Sequence, residues 1–383
     1  MDKPTVQDIF HRFYPAYLDQ YSPSPVQAKV AHNIMNCKTG AYGANVCVCE
    51  DCGFVQIHYN SCRNRCCPMC QAVPKEMWMD ARREDVLDAP YFHLVFTVPD
   101  ILNPVIYSNQ RLLYDALYHA ASSTISELTA DPKHLGAKVG YICILHTWGS
   151  EMNFHPHIHT ILLGGGLASN NQWKDNGENF FLPIRVISKM FRGKYLEELK
   201  RLWEEDKLVF HGTAEKFRNH YTFKELLDSC YGMDWIPHCK KTFNGAQTVI
   251  KYLGKYTHRI AVSNHRIVCM DDDTVTFLVK DYRNEGQWKE LTISGVEFVR
   301  RFLMHVPPRR FVRIRHYGLL CSRTKSQKLT LCRNLLGCKK YLSKLRDMEM
   351  PEILEHLYGI KVCVCKACGG HLGKPQMRMP LRC

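Results

Sequence analysis

Two rhythms of apolar and polar positions run along this chain, one of helices and one of strands. Ile9, Phe10, Phe13, Tyr14 and Tyr17, then Val26 to Met35, recur at helical intervals broken at Ser22-Pro23-Ser24-Pro25, which predicts two short helices within residues 1–36. From about residue 90 the strand rhythm enters. Tyr91 to Pro99 reads as a strand, and Asn109 to about Ala130 as an amphipathic helix stopping before Asp131-Pro132. The apolar runs Tyr141–Trp148 and His157–Leu163, separated by Gly149-Ser150-Glu151-Met152-Asn153, predict an antiparallel hairpin whose second strand ends at Gly164-Gly165-Gly166. No phosphate-loop lysine pattern follows those glycines, so they do not mark a nucleotide loop. A basic amphipathic helix follows over 186–208, a strand over 235–241, a helix over 246–258, and strands over 264–270 and 274–281 around Asp271-Asp272-Asp273. The sequence of elements is that of an α+β fold.

Residues 37–71 follow neither rhythm: they are rich in cysteine and too poor in apolar residues for a core of their own. A metal must supply there what packing cannot. The chain as a whole has 383 residues, which suits two or three domains, and 19 cysteines. It has neither a run of eighteen apolar residues nor the apolar stretch of a signal peptide after Met1-Asp2-Lys3-Pro4, so a soluble cytoplasmic protein without a membrane partner is expected. In that reducing compartment clustered thiols point to metal rather than disulfides.

Cys49-Glu50-Asp51-Cys52-Gly53 and Cys67-Pro68-Met69-Cys70 are two Cys-x-x-Cys knuckles whose spacing lets four thiolates meet around one tetrahedral Zn²⁺. Cys37, Cys47, Cys62 and Cys66 are enough for a second, interleaved site, unless they are merely buried thiols. At the other end Cys365 and Cys368 form one more knuckle, with Cys363, His371 and Cys383 nearby, a candidate for a further zinc.

The net charge is +14, which favours a polyanion such as nucleic acid as partner. Arg63 and Arg65 sit between the zinc ligands, where a rigid knuckle can present them to phosphates or a folded DNA end. The stretch Arg300–Arg323 brings Arg309, Arg310, Arg313 and Arg315, with Tyr317 or Phe311 as bases' stacking partners; a solvated basic face is the plainer alternative.

His155, His157 and His159 alternate in His155-Pro156-His157-Ile158-His159, so one strand face can carry three imidazoles. Crowded imidazoles on an apolar face are costly without a shared partner, and a metal is such a partner. His157 and His159 are the first two ligands. His146, on the facing strand of the hairpin, is the third, with His155 as competitor and Glu151 or Asn153 reachable through the turn. Nitrogen ligands suit Mn²⁺, and a phosphate oxygen with waters also makes Mg²⁺ workable. Downstream, Tyr252 and Tyr256 are one helical turn apart, as are Lys251 and Lys255, with Arg259 beyond. Aromatics at this spacing are often a core stripe. The neighbouring lysines favour the other use, since positive charge stabilises tyrosinate and attracts phosphate, making the tyrosines nucleophiles, Lys255 their catalytic helper, and Lys251 and Arg259 DNA contacts.

These motifs resemble the HUH endonucleases, named for histidine-hydrophobic-histidine, and more closely the transposases of the insertion sequence ninety-one family, two-tyrosine rolling-circle transposases related to Helitrons. The resemblance runs through Tyr59 to Gln71, Val95 to Pro99, Leu145 to Gly149 with His155 to His159, Tyr252 to Arg259, and Arg313 to Leu319, nearly the whole chain. It implies a nuclease domain with a central antiparallel sheet flanked by helices, a divalent metal on His157 and His159, and Tyr252 and Tyr256 as nucleophiles. One departure is visible: the family pattern has His where Cys66 stands and another near Asn45, with Cys66 and Cys47 as the substitutes here.

The expected organisation is a helical segment over 1–36, a zinc-binding domain over 37–88, the nuclease with its tyrosine helix over 89–285, and a basic region over 286–383. The expected function is a DNA transposase that nicks single-stranded or hairpin ends of a mobile element through a 5′-phosphotyrosine and passes the strand to target DNA. Host polymerase and helicase would displace the strand, since the chain has no helicase motif. A plasmid replication initiator or relaxase shares the histidine and tyrosine chemistry, though the amino-terminal knuckles favour the transposase. A zinc-dependent regulator would bind DNA without forming an adduct.

Overall fold

The computed structural model describes residues 3–175, 182–235, 237–243, 249, 254, 261–281 and 285–378. Helices α1 (Val6–Gln20) and α2 (Pro25–Met35) flank the serine-proline break. Both start on capping boxes, Thr5 with Asp8 and Ser24 with Gln27, and Pro25 occupies the first turn, where a missing N–H costs nothing. A hairpin of β1 (Ala44–Val48) and β2 (Val55–Tyr59) follows, then α3 (Ala72–Arg83).

The central layer is built from β3 (Tyr91–Thr97), β4 (Lys138–Trp148), β5 (Phe154–Leu167), β6 (Trp173–Asp175) and β7 (His238–Phe243), joined by a later strand, Ile314–Gly318. Between these strands lie α4 (Asn103–Ser108), α5 (Gln110–Ala130), α6 (Ile184–Glu204) and α7 (His220–Gly232). A second sheet of β8 (Ile267–Met270), β9 (Thr274–Asp281) and β10 (Gln287–Ser294) leads into α8 (Gly295–Met304). The chain ends through β11 (Ile314–Gly318), α9 (Lys325–Leu336), α10 (Met350–Tyr358) and β12 (Gln376–Arg378).

The central sheet is antiparallel in the order β11-β4-β5-β3-β7, with β6 on β5. Strand alternation divides its residues between two faces. Phe92, Leu94, Phe96, Tyr141, Cys143, Leu145, Ile158 and Leu162 pack under α5, α6 and α7 in the main core. The opposite face carries Ile142, Ile144 and Ile161 in a smaller cluster with Val249 and Leu329, and along the same strands it carries the histidines. A third cluster joins α1 and α2 to α8 and the second sheet.

One expectation changes, and two features were not read from the sequence. The glycines 164–166 do not end β5, which continues to Leu167; a Cβ on Gly165 would run into the Trp173 ring and one on Gly166 would lie 2.5 Å from Lys138 O, so they let β6 and β4 approach closely. Strand β10 was not read from sequence, because its exposed residues give no apolar alternation. Nor was β12, which pairs antiparallel with β1 and completes the sheet β12-β1-β2. Among the described residues no helix is long and apolar enough to cross a membrane.

Candidate active site

His146, His157 and His159 come together on the sheet face opposite the main core, all buried, with one ring nitrogen from each within 4.8 Å of the others. Register does this: His146 is the cross-strand partner of His157, and His159 stands two residues on. His155 does not join them. Its Nδ1 lies 3.2 Å from Asp100 Oδ1 at the exposed edge, so of the two candidates for third place the structure brings in His146.

The surroundings orient the rings. The Nδ1 of His157 donates to His155 O at 2.7 Å, which leaves its Nε2 as the acceptor nitrogen, 3.1 Å from Nε2 of His159. The Nδ1 of His159 meets Nε2 of His93 at 2.9 Å. Burial first, then the nearby His238 and His157, lower the pKa of His93 to about 4, so it stays neutral and can accept that bond. With both Nδ1–H groups engaged, two Nε2 lone pairs converge, a donor set that fits a divalent cation. His146 is stacked on Trp148, with ring centroids 4.7 Å apart. His93 was missed in the sequence, although its alternation with Phe92, Leu94 and Phe96 already placed it on the other face.

Tyr252, Tyr256, Lys251, Lys255 and Arg259 lie outside the described residues. Val249 and Gly254, from the same stretch, are described and helical. Val249 is buried with Ile142, Ile144 and Ile161 on the face that carries the histidines, and Gly254 approaches Met79 of α3 so closely that a Cβ would strike its sulfur.

The cysteines group differently from the sequence expectation. Cys49 and Cys52 do not meet Cys67 and Cys70. Cys67 and Cys70 cluster with Cys37 and Cys62, whereas Cys49 and Cys52 cluster with Cys365 and Cys368. The helix α2 ends at Met35 and delivers Cys37 to the 62–70 loop, while the β1–β2 hairpin carries Cys49 and Cys52 away to meet the end of the chain. Cys47 and Cys66, expected in the second site, stand in neither group; Cys66 is buried in the cluster that holds the first helices and Trp148, and Cys47 in the one with Cys49 and Leu372. Sulfurs in the groups lie 3.4–3.8 Å apart where pairs touch, against about 3.8 Å for a tetrahedron with Zn–S bonds of about 2.3 Å, so both sets fit zinc.

Residues 9–98 match the family model described as "Transposase zinc-binding domain" and residues 140–328 the one described as "Putative transposase". The chain is 40% identical over 369 residues to the "Putative transposase y4qJ" of Sinorhizobium fredii, covering 95% of this chain and 93% of that one. It is 30% identical over 309 residues to the "Transposase for insertion sequence element IS801" of Pseudomonas savastanoi pv. phaseolicola, covering 79% of this chain and 72% of that one. The chain belongs to the insertion sequence ninety-one family of transposases. It is thus a DNA-processing enzyme that has the family's structural zinc-binding domain. Among solved structures, a conjugative relaxase TrwC in complex with oriT DNA aligns with a TM-score of 0.25 and 12% identity over 43% of this chain and 71% of that one.

The arginines of the transposase divide by use. A groove of about 1390 Å³ runs between α3 and α10, lined by Lys38, Arg63, Arg65, Arg310 and Arg313, and none of the described residues lining it is acidic. Arg63, Arg309 and Arg310 are exposed. Arg65 also donates to Phe311 O at 2.6 Å and Pro308 O at 3.3 Å. Arg315 pairs with Asp115 and lies 4.0 Å over the Tyr118 ring, so it braces the core. The expected stacking residues are occupied as well: Phe311 is buried against Tyr114 and Tyr118, and Tyr317 stacks on Tyr141.

Proposed function

We propose that this transposase cuts one DNA strand by tyrosine attack beside a divalent cation held by His146, His157 and His159. The observation that carries the reading is the convergence of three buried imidazoles on the sheet face against which Val249, three residues before Tyr252, is also packed. Mn²⁺ or Mg²⁺ held by these three imidazoles would supply positive charge to polarise a non-bridging oxygen of the scissile phosphate. One of Tyr252 and Tyr256, held as tyrosinate by the charges of Lys251 and Lys255, attacks phosphorus. The P–O3′ bond breaks, the leaving 3′-oxygen takes a proton, and the 5′-phosphate remains on tyrosine as an ester. Because the bond energy is kept in that ester, the second tyrosine or a free 3′-hydroxyl can take over the strand in a rolling-circle-like transfer without ATP.

The basic groove receives the DNA, in this reading an element end or the target, with Arg63, Arg310 and Arg313 on phosphates and Arg309 extending the path, while Arg259 is a further DNA contact beside the tyrosines in the sequence. Host polymerase and helicase displace the strand, and the work takes place in the cytoplasm at the nucleoid. The test is adduct formation: a single-stranded oligonucleotide with the element's end sequence becomes covalently attached in Mn²⁺ or Mg²⁺. Tyr252→Phe combined with Tyr256→Phe abolishes attachment. A persisting adduct refutes the nucleophiles, and salt-sensitive binding with no adduct under any metal favours the regulator.

A further inference from the structure

The knuckles Cys49-Glu50-Asp51-Cys52-Gly53 and Cys365-Lys366-Ala367-Cys368-Gly369 share one design, though the chain separates them by more than three hundred residues. Each ends on a glycine in the left-handed region, φ 71° at Gly53 and 77° at Gly369. Each closes the same turn: the N–H of Gly53 donates to Cys49 O and that of Gly369 to Cys365 O, both at 3.0 Å. The knuckle of Cys67 and Cys70 continues into Gln71 and lacks this closure.

The two matching knuckles face one another. Cys49 Sγ is 3.5 Å from Cys368 Sγ, Cys52 Sγ is 3.8 Å from Cys365 Sγ, and all four sulfurs lie within 4.8 Å. Backbone N–H groups of Ala367 and Gly370 point at the sulfurs of Cys365 and Cys368, each at 3.4 Å, as suits thiolates. Among the described residues the buried apolar cluster around them comprises only Cys47, Cys49, Cys365 and Leu372, too little to hold the end of the chain by burial.

We propose that Cys49, Cys52, Cys365 and Cys368 hold a zinc ion of their own, a clasp that fastens the end of the chain to the amino-terminal hairpin. It is separate from the ion on Cys37, Cys62, Cys67 and Cys70, and half of its ligands lie outside residues 9–98, the span of the family's zinc-binding domain. Its effect reaches the basic groove. Met350, Leu354 and Tyr358 of α10 form one wall of that groove, and α10 is tied down by the clasp a few residues on.

Metal analysis of the full chain tests the clasp independently of strand cleavage. Cys365→Ser with Cys368→Ser lowers the zinc content by one ion per chain, Cys49→Ser with Cys52→Ser lowers it by one, and all four substitutions together still lower it by only one, because both pairs serve the same ion. An unchanged zinc content after Cys365→Ser with Cys368→Ser overturns the proposal. A second measurement uses the native chain. Cys52 and Cys368 are exposed, as are Cys269 and Cys321. With iodoacetamide, Cys269 and Cys321 react at once, while Cys52 and Cys368 react only after a chelator is added. Equal reactivity of all four before chelation overturns the proposal.

Discussion

Nε2 of His93 lies 2.9 Å from Nδ1 of His159, and a metal on Nε2 of His159 puts the proton on that Nδ1 and makes His93 the acceptor, so a residue on β3 supports the tautomer a residue on β5 needs as a ligand. His93→Ala removes that acceptor without touching the convergent Nε2 atoms. Loss of such a supporting bond costs about 10–100-fold in metal affinity or activity. The expected outcome is a higher Mn²⁺ concentration for half-maximal adduct formation, partly restored by His93→Gln, whose amide oxygen can accept. An unchanged Mn²⁺ titration in His93→Ala would count against this role.

The histidine strand should split cleanly in mutagenesis. His146→Ala, His157→Ala and His159→Ala each remove a ring nitrogen from the cluster, and each should slow adduct formation by more than about 100-fold, beyond the range of a supporting residue. His155→Ala breaks only the contact with Asp100 at the exposed edge and should leave the rate close to that of the unaltered chain. Rates measured at saturating Mn²⁺ decide between His146 and His155. A loss at His155 equal to that at His159 would reverse the assignment.

The arginines should separate by salt. Arg63→Gln and Arg310→Gln, at exposed positions on the groove, should each reduce the slope of log binding against log salt by about 0.7–0.9 with no change in Tm. Arg315→Gln should do the reverse: it loses the Asp115 pair and the face of Tyr118, lowering stability by about 1 kcal/mol while the salt slope stays. Binding isotherms at four salt concentrations, with thermal melts of the same variants, read both effects.

The α+β fold and the hairpin of the histidine site were legible because alternation and helical periodicity are local. His146 could be placed opposite His157 for the same reason: the turn at Gly149–Asn153 fixes the register. The cysteine grouping was not legible. Spacing between Cys49 and Cys70 permits one site, but the choice depends on where α2 and the last strand deliver Cys37 and Cys365, a long-range matter. The shared glycine after Cys52 and Cys368 was the available signal. Likewise, charge marked Arg315 and Arg310 alike, and only packing shows that one faces Tyr118 and the other the groove.

His305 gives a pH dependence of known sign. It is buried, with Nε2 donating to Met152 O at 2.9 Å and Nδ1 3.2 Å from Thr147 Oγ1, and burial lowers its pKa to about 4. The unfolded chain holds this group near its ordinary value of about 6.5, so between the two values the unfolded state binds more protons. Its share of stability is therefore full above about pH 6.5, falls as the pH drops toward 4, and levels off below; over that window it amounts to on the order of 3 kcal/mol. His305→Gln keeps a donor for Met152 O but cannot titrate. Urea unfolding at pH 7.5 and pH 4.5 should show a smaller difference for His305→Gln than for the unaltered chain, with the remaining acid sensitivity shared by other groups, among them His93 and His316, whose pKa values burial also lowers to about 4, and Glu297, held low by Arg300 and Arg301. Identical differences in the two proteins would mean that His305 gains its proton without opening the contact between α8 and the histidine hairpin.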